Sequence, residues 1–155
     1  MKRFILAVLL VGMANTNVAN SGTFSSSEYR TPIPVTPQER NQVLYEMRAF
    51  LHGMHNIHHA LGRNDIKAVA VEVKPMNNLL DRFPPSLRER LPESFLMLAN
   101  GLRESLDQLT KISENNGPMN AVHEQLAEAV TYCSGCHDTF HFEVVRKLPK
   151  PVAKP

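Results

Sequence analysis

Apolar side chains recur every three or four residues along this chain, in four successive runs. In the first, Val43, Met47, Phe50, Met54, Ile57 and Leu61 follow one another at spacings of 4, 3, 4, 3 and 4. A helix over residues 37–61 carries all of them on one stripe. Thr36 suits its N-cap, with Pro37 at the first helical position and Glu39 in the first turn, and "GRND" at residues 62–65 ends it. The second run, through Ile66, Val69, Val73, Met76, Leu80 and Phe83, predicts a helix kinked at Pro75 and stopped by Pro84 and Pro85. The third passes through Leu91, Phe95, Leu98, Leu102, Leu106 and Leu109 to "ENNGP", where Gly117 is the candidate for a left-handed cap and Pro118 forbids continuation. The fourth joins Val122, Leu126, Ala129, Cys133, His137, Phe140 and Val144. No segment of useful length alternates apolar and polar residues as a half-buried strand does. Four amphipathic helices joined by short breaks predict an all-α fold, an antiparallel up-down-up-down four-helix bundle over residues 38–145.

The ends read differently. "MKRFILAVLLVGMANTNVANSG" has a basic start, an apolar run from Phe4 to Val11 and then small and polar residues, the three-part form of a secretory signal peptide. Residues 1–19 are assigned to it, with cleavage after Ala14 or Ala19. The run falls short of the about 20 apolar residues a membrane span needs, so the expectation is a soluble, exported, periplasmic protein with no stable membrane insertion. Residues 20–37 are Ser, Thr and Pro rich and read as an extended leader; residues 146–155, "RKLPKPVAKP", read as a basic, proline-rich tail. A chain of 155 residues suits one domain. Its net charge of +2 falls to about zero once Lys2 and Arg3 are removed, which gives no case for nucleic acid.

The fourth run holds the chain's two cysteines, in "YCSGCHDTF", with His137 directly after Cys136. A thioredoxin-like redox pair belongs at a helix N-terminus after a strand, and Cys133 lies well inside its helix. A structural zinc site needs two further ligands. "LHGMHNIHHAL" offers histidines, but four complete apolar seams form a core without a metal. Two cysteines separated by two residues and followed by histidine are the attachment signature of c-type haem. Both thiols reach one porphyrin edge, and the imidazole of His137 reaches the iron. Cys133 and His137, one turn apart, share the core seam, and the signal peptide supplies the export this haem needs.

The opposite side of the iron is sought on the first helix. Counting from facing helix ends sets Met47 at the height of His137, while Met54 lies about 10 Å further along. A thioether raises the reduction potential relative to a second histidine, so Met47 is the candidate distal ligand. His52, His55 and His59 form a stripe away from the main seam, read as solvated. His58 is expected half-buried beside the core, in register with Leu44 and Leu51, and His123 has no role. No nucleophile and base, carboxylate dyad or substrate pocket is legible, so no catalytic residue is expected.

With "CSGCHDTF" on the last helix and "VLYEMRAFLHGM" on the first, residues 38–142 resemble the class II c-type cytochromes, which include cytochrome c prime and its methionine-ligated relatives. The resemblance implies thioether bonds at Cys133 and Cys136, His137 as proximal ligand and one haem c. It also implies a first-helix position, here Met47, that divides the family. Methionine there gives a low-spin carrier of single electrons serving redox partner proteins. An apolar residue gives five-coordinate iron that binds nitric oxide or carbon monoxide. The family motif continues with an aromatic and then Arg or Lys; Phe140 matches, and His141 stands where the basic residue would. Leu51 and Val71, expected to be exposed, allow a homodimer.

Overall fold

The computed structural model describes residues 28–149. In chain order these form β1 (Thr31–Val35), α1 (Pro37–Gly62), α2 (Ile66–Val73), a 3-10 turn (Lys74–Met76), α3 (Leu79–Arg82), α4 (Pro85–Arg88), α5 (Glu93–Glu114), α6 (Met119–Thr139) and β2 (Phe140–Val144). The fold is mostly helical, with one small two-stranded parallel sheet. The signal-like segment with both candidate cuts, the start of the leader and the tail beyond residue 149 lie outside the described residues. Among the described residues no helix is long and apolar enough to cross a membrane.

α1 begins where the capping residues place it. Thr36 Oγ1 accepts from Glu39 N–H at 3.1 Å, and the Glu39 carboxylate accepts from Thr36 N–H at 2.9 Å, so two orphan donors of the first turn are satisfied reciprocally. Its far end closes through Asn64 at φ 56, with Asp65 N–H donating to Ala60 O at 3.0 Å, a Schellman motif. α5 ends in the same way: Asn116 has φ 52, and Gly117 N–H donates to Ile112 O at 2.8 Å. The left-handed residue is therefore Asn116, not Gly117 as expected. Gly117 is required for space instead, since a Cβ there would lie 2.7 Å from Ile112 Cγ2.

The second predicted helix is corrected. Helical backbone stops at Val73, Pro75 sits in the 3-10 turn, and Asn78 adopts φ 60 before the short α3 and α4. Pro75 has no amide to continue the ladder, and two asparagines follow it. Met76, Phe83 and Leu87 are still buried, so the apolar spacing survives a backbone that is no longer one helix. Arg82 replaces lost backbone partners, donating to Asn77 O at 2.6 Å and Pro75 O at 3.3 Å.

The sheet is a second correction. No strand was expected, yet β1 and β2 pair in parallel from Thr31↔Phe140 to Val35↔Val144, and part of the leader belongs to the fold. Pro32 and Pro34 alternate with fully buried Ile33 and Val35; prolines are tolerated here because β1 is an edge strand. The fourth helix stops at Thr139, and Phe140 and Val144 leave the seam for β2, where Val144 is exposed. Phe140 and Phe142 instead share one side of β2, with ring centroids 5.4 and 6.1 Å from that of Phe95. Parallel strands need a crossover between them; here every helix of the fold supplies it.

α5 packs along α6 and α2, and α2 along α1. One core cluster gathers Ile57, Val69, Leu106, Leu109 and Val122. A second gathers Ile33, Val35, Phe83, Leu87, Phe95 and Phe140 around the sheet. α1 and α6 face each other across a cavity between these clusters.

Candidate functional site

The cavity holds about 470 Å³. Its α1 wall repeats at helical spacing, with Arg40, Val43, Met47, Phe50 and Met54 on the stripe and Leu44 and Leu51 flanking it. α6 contributes Tyr132, Cys133, Cys136 and His137, two neighbouring pairs one turn apart. Phe83, Phe95 and Leu102 form the apolar floor, and Phe140, His141 and Phe142 of β2 close one end. The Tyr132 ring lies where a side chain at position 101 would stand, so Gly101 on α5 makes the room for it.

Cys133, Cys136, His137 and Met47, the four residues singled out in the sequence, thus share one cavity. Met54 lines it too. The two methionines border different clusters: Met47, like Cys136 and Phe142, packs against the one around the sheet, and Met54, like Cys133 and Tyr132, against the other. The other histidines of α1 stand apart. His52, His55 and His59 are exposed, with the His55 and His59 rings 6.2 Å apart and Arg63 against His59. His58 is also exposed, which corrects the expected half-buried position: its stripe, Leu44, Leu51 and His58, is the outer flank of α1. His123 is exposed on α6.

Both cysteines are free and half-buried, and Cys133 Sγ donates to Ala129 O at 3.6 Å, one turn back. Burial pushes both thiols up, and for Cys136 the neighbouring Cys133 adds to it, bringing Cys136 to about 11. At neutral pH the pair is neutral, whereas disulfide exchange runs through the thiolate. Among the described residues no three His, Cys, Asp or Glu side chains converge as they would on a metal ion, so the thiols lack the further ligands structural zinc needs.

Charge in the lining is one-sided. Arg30 and Arg40 are its cationic side chains, and among the described residues no carboxylate lines it. Sequence reasoning missed both: Arg40 stands seven positions before Met47 on the same face of α1, a spacing that could have found it, whereas only the pairing of β1 with β2 carries Arg30 to this end of α6. The back of the α1 wall is held by charge. Glu46, 2% exposed, accepts from Arg82 Nε at 2.6 Å and from Gln42 at 2.7 Å, and the Arg82 guanidinium lies 5.9 Å from the centre of the Phe50 ring.

Comparison with protein-family models, with curated proteins and with solved structures finds no match for this chain, so a functional reading rests on the residues of this cavity.

Proposed function

We propose that this chain is a monohaem c-type cytochrome of the class II kind, an exported periplasmic carrier of single electrons between redox partner proteins. The observation that carries the reading is that both thiols of "CSGCH" and its histidine line one apolar cavity whose opposite wall presents Met47. On this reading α1, α2, α5 and α6 are the members of an antiparallel four-helix bundle whose second helix is shortened.

The residues fit the group. The cavity volume falls within the roughly 300–1,000 Å³ of small-molecule and cofactor sites. Two neutral, half-buried thiols two residues apart would hold haem c through Cys133 and Cys136, with His137 as proximal ligand. Met47, which borders the same core cluster as Cys136, is the sixth-ligand candidate ahead of Met54. Arg40 makes no ion pair among the described residues and would face the acid groups of the porphyrin. Bound there, haem supplies a one-electron Fe(III)/Fe(II) couple. Phe50, Phe83, Phe95 and Leu102 would keep water from the bound group, and that burial would help to set its potential. No catalytic turnover is proposed. Leu51 and Val71, 70% and 65% exposed, would serve a homodimer.

The second reading, a five-coordinate site for nitric oxide or carbon monoxide, is favoured by Leu44 and Leu51. These place apolar side chains beside Met47 on the same wall. Absorption spectra of the isolated chain, ferric and ferrous, with and without carbon monoxide, separate the two. A low-spin spectrum that ignores carbon monoxide and turns high-spin in Met47→Ala supports the electron carrier. A high-spin spectrum that shifts with carbon monoxide in the parent chain rejects Met47 as ligand and favours gas binding. A chain without covalent haem rejects both.

A further inference from the structure

Carbonyls in the last turn of a helix lose their partners, because no further helical residue donates to them. In α6 the loss falls on the haem-motif histidine. Phe140 N–H still donates to Cys136 O, but residue 141, which would serve His137 O, already lies in β2. Arg30 fills the vacancy: its Nη1 donates to His137 O at 3.2 Å and to Phe140 O at 3.5 Å. The rest of the guanidinium is held by Glu28, through Nε to Oε1 at 2.8 Å and Nη2 to Oε2 at 2.6 Å. Register delivers it, since Thr31, the next residue, is the partner of Phe140. A cation here meets the negative end of the α6 dipole, and Arg30 also lines the cavity.

We propose that Arg30 is a positioning residue for His137: reaching in from the N-terminal strand, it clamps the last turn of α6 and fixes a positive charge against the cavity that favours the reduced state. The charge part rests on the haem reading; the clamp rests on geometry alone. A cation near the iron stabilises Fe(II) over Fe(III) and an anion does the reverse, so the two members of the Arg30–Glu28 pair act on the potential with opposite signs. A clasp with a merely structural role would shift the potential the same way whichever partner is lost.

The test uses the full chain isolated from a host that attaches haem c, as the parent and as Arg30→Gln, Arg30→Lys and Glu28→Gln. Amide hydrogen exchange is followed over residues 136–142, and midpoint potentials are read by optical redox titration. Arg30→Gln is expected to speed exchange in that stretch roughly tenfold or more, the loss of charge-assisted hydrogen bonds, while α5 is unchanged, and to lower the midpoint. Glu28→Gln is expected to raise the midpoint, and Arg30→Lys to keep it near the parent. Unchanged exchange in Arg30→Gln, or midpoints moving the same way in Arg30→Gln and Glu28→Gln, overturns the proposal. If the isolated chain carries no haem, the electron-carrier reading fails by itself. Exchange, measured on the chain as isolated, then decides the clamp.

Discussion

The two halves of α6 follow one apolar period and meet different neighbours. Val122, Leu126 and Ala129 are buried in a closed core with Leu106 and Leu109 of α5. Over the next two turns Cys133 and Cys136 are only half-buried and His137 is exposed, because the space in front of them is cavity. Helical spacing therefore identifies the inward face of a helix without saying what covers it. The residue types say that: Leu and Val where protein covers the seam, thiols and imidazole where it is left for something else.

The contrast breaks most sharply on truncation. Leu126→Ala in the closed half should lower unfolding stability by about 2–5 kcal/mol, whereas Leu44→Ala on the cavity wall should lower it by about 1 kcal/mol or less. Urea unfolding of the two variants checks this, and equal losses would mean that the cavity half is packed as tightly as the core. The far wall of the cavity depends on charge, so Arg82→Met, which strands the buried Glu46 carboxylate, should cost about 3 kcal/mol. Acid should act on the same helix through Glu39. Burial pushes its carboxyl up, but Arg90, the Thr36 amide and the Ser86 hydroxyl outweigh that and hold it down to about 2. A depressed carboxyl adds stability above its ordinary value of 4.5 and loses it as pH falls towards about 2, a contribution of roughly 2–3 kcal/mol. Glu39→Gln should be less stable at neutral pH and should flatten the pH profile over that window, as an acid titration followed by circular dichroism would show. The smallest effect sharpens the boundary of the site. His52→Ala, His55→Ala and His59→Ala should each change stability by less than about 0.5 kcal/mol and leave the absorption spectrum unaltered. A displaced spectrum would draw that exposed stripe into the site.

α1, α5 and most of α6 were legible in the sequence because apolar period, caps and breakers agree there. That Cys133, His137 and Met47 line one cavity was legible for a related reason, since each sits on a seam whose direction the period fixes, and Cys136 joins them one position before His137. The second run misled because Leu80 and Phe83 kept a helical spacing while Pro75 and Asn78 redirected the backbone beneath them. The sheet was hidden more deeply. Ile33 and Val35 alternate with prolines, a pattern that reads as a leader, and their partner strand masqueraded as the last turn of a helix. Nothing local announces a contact such as Arg30 to His137, which spans 107 positions.

That separation has a consequence for the order in which the molecule is completed. Pairing of β1 with β2 closes the longest loop in the fold, and contacts of high sequence separation form after local ones because loop closure comes before their reward. The helices can therefore assemble while the end of α6 is still unlatched and its two thiols, on the haem reading, still accessible. Closure of the sheet is then the finishing act, made by the first and last segments of the fold together.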